Sequence, residues 1–395
     1  MGQGGEDELD LTVGGGVRYT GAAGLPDVID VVVIGAGPGG TAAALRAQEL
    51  ELSALVIEAD DVFRSIRDFG DKKTLYPDYG GGDESPFPPE GPLVRQLHFE
   101  RGKVADILGR WRRLYSDIGI PAKIGSEFTG LERDGDLYVV NTWNQRLEQD
   151  VAYKARSVVL ALGIGNASLG DIPGDPRGIA LRLGDVQRFV GAPAAVIGGG
   201  TSAAEAVIAI SNAKMQAQDK TSVYWSYRKE SMPKVSKALN VEFFDAYVLN
   251  GNIRYLPYSE PAAIVSDADD REFVSIRVDR KEIAGRPAET VHLEFPKQSV
   301  VACIGGQVPT KLLTDFGAQV ATKGSQQLML LNEDGETSLA NVFLVGEARG
   351  QMFYTCTNFD DAGTFKRTRT SRNIKAAMWE GVQVVETIAQ RLGKS

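Results

Sequence analysis

Cysteine is almost absent: Cys303 and Cys356 are the only two in 395 residues, and they never form a C-x-x-C pair. A disulfide framework and a cysteine-based metal site are therefore excluded, and the expected setting is the reducing cytoplasm. Histidine is as scarce. With only His98 and His292 present, a catalytic or metal-ligating histidine has few candidates, and no metal is expected. No apolar run approaches the roughly 20 residues needed to span a bilayer, and the acidic, glycine-rich start lacks the basic and apolar regions of a secretory signal. Basic residues are outnumbered. The 43 Lys and Arg against 52 Asp and Glu leave a net charge of -9, which argues against nucleic acid or an anionic membrane as partner.

What the chain has in quantity is glycine, 45 residues, with 43% apolar residues overall, a composition that suits two α/β domains. Residues 1–26 read as a mobile tail. The β-branched run from Val28 to Ile34 predicts a buried parallel strand, followed by a helix from Thr41 to about Leu50 and a strand from Leu52 to Ile57, a β-α-β unit. Residues 64–92, rich in glycine and proline, read as a long loop, and Val104 to Ile118 carry apolar residues at helical spacing. A strand from Ser157 to Leu162 ends at Gly163. Asp171 to Pro176 resemble an interdomain crossing, after which the pattern repeats: strand Ala194–Ile197, a glycine turn, helix Ser202–Ser211 and strand Ser222–Ser226. A third strand, Ser299 to Ile304, echoes the one before Gly163. Val342–Val345 lead into Gly346 and Glu347, and an apolar-periodic helix covers Ile374 to about Leu392.

Two turns carry the chemistry. Gly35, Ala36, Gly37, Pro38, Gly39 and Gly40 fit G-x-G-x-x-G: the first glycine allows the tight turn, the second admits a pyrophosphate, and the third lets helix meet strand. Glu58, 18 residues beyond Gly40, stands where a carboxylate accepts hydrogen bonds from the adenosine ribose. The second turn, Gly198, Gly199, Gly200, Thr201, Ser202 and Ala203, follows the G-x-G-x-x-A variant. Past its following strand come Tyr227, Arg228 and Lys229, with Lys234 shortly after. Cations there favour the 2′-phosphate of NADPH over NADH.

In these residues the chain resembles the two-dinucleotide-binding flavoprotein superfamily, in its thioredoxin reductase-like branch, from Val28 to the C-terminus. Val196 to Glu205 is similar to the branch's nicotinamide motif, with Glu205 on its acidic position, and Tyr227-Arg228-Lys229 stands at its basic 2′-phosphate motif. Asn341 to Glu347 resembles the late FAD motif, although the family usually has Asp where this chain has Glu347. Ile374 to Glu386 looks like the last helix of these reductases, which would set Arg372, Asn373 and Ile374 near flavin N1 and O2. The resemblance implies two Rossmann-like three-layer α/β domains: an NAD(P)H-binding domain, 175–298, inserted into an FAD-binding domain made of 27–174 and 299–395. It also implies FAD, with Gly163 and Gly346 among its contacts, NADPH, and a homodimer. Arg64 to Lys73 resembles a stretch that passes the isoalloxazine in related flavoproteins.

No cysteine lies between Arg177 and Val301, so dithiol thioredoxin reduction is not expected. Cys303 reads as a buried strand residue, whereas Cys356, after the late FAD motif, is a candidate redox thiol. The expected activity is FAD-dependent NAD(P)H oxidation, with electrons passed to an acceptor left open: a protein carrier, a quinone, a disulfide or oxygen. Two other readings stay open, a flavin monooxygenase and a non-catalytic redox sensor.

Overall fold

β-branched runs that alternate with helices of small residues build two parallel-sheet units. The computed structural model describes residues 12–13, 17–18, 24–71, 73–77, 91–164, 172–181, 183–232, 239–282, 287–304, 306, 308–323, 326–350, 352–370 and 373–394. Of the expected tail, Thr12–Val13 pairs with Val17–Arg18, and most of the remainder lies outside the described residues.

The first unit opens with β1 (Val28–Ile34), α1 (Pro38–Glu49) and β2 (Ala54–Glu58). α1 starts three residues before the sequence pattern suggests, because Gly37 is extended and Pro38 is preset for a first helical turn. The expected loop after residue 64 begins with one helical turn, Arg64–Arg67, and residues 78–90 of it lie outside the described ones. There follow α2 (Val104–Leu114), β3 (Ala122–Ile124), β4 (Ser126–Asp134), β5 (Leu137–Asn144) and β6 (Gln149–Leu160). The strands order as β3-β2-β1-β6-β5-β4, parallel from β3 to β6 and antiparallel beyond. The apolar face of α2 inserts Trp111, fully buried, against Phe63 and Phe99, and its indole nitrogen donates to the Leu97 carbonyl at 3.1 Å. An indole buried this way needs that partner.

The second unit contains β7 (Ala194–Ile197), α3 (Thr201–Gln216), β8 (Val223–Tyr227), α4 (Asn240–Val248) and β9 (Ile253–Pro257). An antiparallel sheet of β10 (Ser259–Ser266), β11 (Glu272–Arg280) and β12 (Glu289–Pro296) precedes β13 (Val300–Ala302). The parallel order is β9-β8-β7-β13. This corrects the expected boundary at 298/299: Ala195–Ile197 pair with Val300–Ala302, so β13 completes the second sheet instead of opening the return to the first. Within this unit Lys214 is wholly buried, its ammonium donating to Ala192 O, Asp219 and Thr221 at 2.6–2.8 Å.

The chain then adds β14 (Val320–Lys323), β15 (Gln326–Leu331), β16 (Val342–Leu344), β17 (Met352–Thr355), β18 (Lys366–Arg369) and α5 (Ile374–Arg391). β16 pairs in parallel with the carboxyl half of β6, which returns the chain to the first sheet. β14, β15, β17 and β18 form a side sheet. α5 packs on α1 through Gly381, where any side-chain carbon would lie 2.3 Å from the Gly39 carbonyl oxygen. Among the described residues no helix is long and apolar enough to cross a membrane.

Candidate functional site

Both glycine turns open onto one cleft of about 2570 Å³. At the first turn, Gly35 has φ +103, and a side-chain carbon there would sit 2.4 Å from the Ala161 carbonyl oxygen. Gly40 is as tightly placed, 2.0 Å from the Gly35 oxygen by the same measure, so the turn lies against the end of β6 and α1 against β1 only because neither position carries a side chain. Gly37 differs. Nothing lies within 4 Å of the place a side chain would take, and that open side faces the cleft at the amino end of a 12-residue helix. The free amides and dipole of such a helix end favour a phosphate.

Glu58 ends β2 at the cleft wall. Its Oε2 accepts from the Ala36 amide at 2.8 Å and its Oε1 from the Asp60 amide at 2.9 Å, and burial pushes the carboxyl above its ordinary range. The two amides fix the carboxylate while leaving lone pairs for a ribose diol.

The second turn repeats the design. Gly198, at φ +133, lies against the Cys303 carbonyl, Gly199 against the ring of Tyr227, and Gly200 is open. The Trp225 indole donates to Gly198 O at 2.8 Å and holds the turn from beneath. Beyond β8 the Tyr255 hydroxyl is shared between the carbonyls of Lys229 and Ser231, at 3.0 and 2.9 Å, and pins the basic loop. Burial, with Tyr227 and Tyr258 nearby, pushes that hydroxyl up to about 12.

The late motif and the last helix close the cleft. The Gly346 amide donates to Glu380 Oε2 at 2.6 Å, and Glu380 pairs with the largely covered Arg349 at 3.4 Å. Asn373 caps α5 by accepting from the Ala376 amide at 2.7 Å, and Asn373, Ile374 and Ala377 line the cleft. Across the opening, Lys73 of the first unit meets Glu205 of the second at 2.8 Å, both side chains about four-fifths out of solvent.

Of the residues singled out in the sequence, the cleft thus brings together Gly35, Gly37, Pro38, Gly39, Glu58, Gly163, Gly346, Glu347, Asn373 and Ile374 with Gly198, Gly200, Thr201, Ser202, Glu205 and Arg228. Gly40 and Ala203 are buried behind the lining, Lys229 is exposed and not part of it, and Lys234 and Arg372 lie outside the described residues. Cys356 is buried, and its thiol is raised by that burial, away from the lining residues. Cys303 is the thiol that reaches the cleft wall, with a pKa pushed up to about 12 by burial. Neither histidine lines the cleft, and among the described residues no cluster of His, Cys, Asp or Glu suits a metal. Sequence reasoning passed over Tyr255, Tyr258 and Gly381. Gly381 had a signal, since a lone glycine inside an apolar helix usually has a packing reason.

The profile of the family described as pyridine nucleotide-disulphide oxidoreductase matches residues 32–346, which takes in both turns and the late motif as far as Gly346. The chain belongs to that family. It is accordingly an FAD-dependent oxidoreductase of pyridine nucleotides, with the thioredoxin reductase-like fold that its motifs resemble. A "34.2 kDa protein in rubredoxin operon" of Clostridium pasteurianum is 24% identical over 345 residues, covering 85% of this chain and 94% of that one. A ferredoxin–NADP reductase of Ignicoccus hospitalis is 21% identical over 321 residues, 80% of this chain and 89% of that one. The solved thioredoxin reductase of Lactococcus lactis superposes with a TM-score of 0.66 at 18% identity, covering 93% of this chain and all of that one, a likeness of fold.

Proposed function

We propose that this oxidoreductase takes hydride from NADPH and delivers the electrons to an acceptor outside the chain, a small one-electron carrier protein of the ferredoxin class. The observation that carries the reading is the shared cleft. Two phosphate-cradling turns and the amino end of α5 face one space, while the two thiols of the chain are set apart, one at the wall and one buried elsewhere. An internal dithiol relay has no residues to run on. The carrier class is supported by the name of the Ignicoccus hospitalis relative.

FAD, when bound, supplies a centre that accepts a hydride and releases electrons singly. The protein's own part is placement and charge. The turn at Gly37 and the first amides of α1 would hold the FAD pyrophosphate, and Glu58 the adenosine ribose. Gly200 and the start of α3 would hold the NADPH pyrophosphate, and Arg228 the 2′-phosphate. The amino end of α5, with its positive dipole end on the cleft, suits the negative charge that reduction places on the flavin ring.

Anaerobic titration of the purified holoprotein is the test. NADPH should bleach the oxidised flavin absorbance at one equivalent, and NADH should need a higher concentration for the same rate. Flavin that neither nucleotide reduces would leave a redox sensor as the better reading. The variant with both Cys303→Ser and Cys356→Ser should pass electrons from the NADPH-reduced flavin to a ferredoxin as fast as the parent, because neither thiol is held as a reactive thiolate. Slowing by tenfold or more would reopen a cysteine relay.

A further inference from the structure

Next to the cleft, and sharing Arg228 with it, lies a second cavity of about 480 Å³. Its walls come from the antiparallel sheet of the second unit, which is sewn to the end of β8. The Ser259 hydroxyl accepts from the Tyr227 amide at 3.1 Å and stands 2.8 Å from the Ser226 hydroxyl. The strand that leads into Arg228 and the sheet behind it therefore hold one fixed geometry.

Tyr258, at the entry to β10, adopts φ +50, a left-handed conformation that costs energy in a bulky residue and persists where the surroundings impose it. Its amide reaches the Lys229 carbonyl at 3.4 Å, and its side chain turns to Lys281, which follows β11. The Lys281 ammonium donates to the Tyr258 hydroxyl at 2.5 Å and lies 4.1 Å from the ring centroid. That hydrogen bond holds Lys281 above the ordinary lysine range, so it is fully charged at neutral pH.

The other cations of this cavity are matched. Arg277 pairs with Glu260 at 2.6 Å and with Asp279 at 3.4 Å, and Arg280 pairs with Glu289 at 2.7 Å. Among the described residues, Lys281 and Arg228 alone in this lining have no carboxylate within ion-pair distance, the Glu230 carboxylate acting on Lys281 only from farther off. In a chain of net charge -9, two cations without a close ion-pair partner in one small cavity at the end of β8 form a ready seat for a phosphomonoester.

We propose that Lys281, positioned by Tyr258, is a second cationic contact of the NADPH 2′-phosphate beside Arg228, and that this cavity is the subsite that sets nucleotide choice. The proposal rests on the NADPH reading above and adds to it a residue from the antiparallel sheet, far in sequence from the basic loop. Lysine suits the role as a mobile point charge, while Arg228 supplies the planar, two-point contact.

Calorimetric titration of the FAD-loaded protein with 2′,5′-ADP and with 5′-ADP tests it without turnover. The parent should bind 2′,5′-ADP more tightly. Lys281→Met should weaken 2′,5′-ADP about tenfold and leave 5′-ADP unchanged, and Lys281→Arg should restore most of the preference. Equal weakening of both probes, or no change in either, would overturn the subsite, because a lysine that merely packs on Tyr258 cannot tell them apart. A parent protein without preference for 2′,5′-ADP would bring down the NADPH reading itself and the subsite with it.

Discussion

Gly381→Val should yield little or no folded yellow protein, whereas Gly37→Val should yield a folded chain that has lost its flavin. The two glycines differ in what surrounds them. At Gly381 a new carbon would lie 2.3 Å from the Gly39 carbonyl oxygen and 3.1 Å from the Ala43 amide nitrogen. Both are backbone atoms of α1, so relief requires pushing the two helices apart. Overpacking of a rigid contact costs about 1–3 kcal/mol and sometimes more, and here the displaced segment is also the glycine turn. At Gly37 no atom lies within 4 Å of the added carbon, and φ is -77°, so the fold should lose no more than about 0.5 kcal/mol. What the side chain would fill is the proposed approach of the FAD pyrophosphate. Thermal unfolding together with the flavin-to-protein absorbance ratio separates the two effects. Stoichiometric FAD on Gly37→Val would mean that the cradle has been assigned to the wrong face of the turn.

Lys214→Met should destabilise the second unit by about 3 kcal/mol at neutral pH, the lower end of the cost of breaking a buried ion pair. The lower end applies because Asp219, 8% exposed, keeps other donors: the Gly191 amide and the amide and hydroxyl of Thr221. The effect should depend on pH. Despite the cost of burial, hydrogen bonds from Lys214, Thr221 and Gly191 hold the Asp219 carboxyl well below its ordinary range. A carboxyl depressed in the folded state contributes stability above its unfolded value, near 3.9, and loses it as pH falls toward the folded value. The parent's advantage over the variant should therefore be constant from about pH 5 to 8 and shrink below about pH 4. Denaturant unfolding at pH 7 and pH 3 measures it, and an undiminished difference at pH 3 would point to packing instead of charge.

The parts of the fold that were legible in the sequence are those where one physical demand dominates. A buried parallel strand needs a continuous β-branched run, so β1 and β7 stood out, and a pyrophosphate turn needs glycines at fixed offsets, so both turns did as well. β13 was legible as a strand but not as to its sheet. Val300–Ala302 carries the same apolar pattern whichever neighbour it has, and only the register against Ala195–Ile197 decides. The antiparallel strands β10–β12 went unread although β11 (Val274, Ile276, Val278) and β12 (Val291, Leu293, Phe295) alternate apolar and polar residues; only β10 is irregular, with a register shift between Pro261 and Ala263. Most of the lining of the small cavity beside Arg228 comes from that sheet and its flanks, which is why Tyr258 and Lys281 were invisible from the motif alone. Cys356 shows the converse limit: its place after the late FAD motif suggested proximity to the cleft, but side-chain direction, not chain position, decides what a thiol faces.

The pairing of β16 with β6 and the seating of α5 on α1 have a consequence for the making of the protein. The first unit is split around the second, so α1 leaves the ribosome more than 300 residues before the helix that covers it. At synthesis rates of about 5–20 residues per second, that is a wait on the order of 20–70 seconds. The second unit, whose parallel sheet draws its strands from the single stretch between Ala194 and Ala302, has everything it needs well before then. During that interval the apolar side of the early sheet has no lid, and chaperone occupancy of nascent chains should peak there and fall once the last helix has emerged.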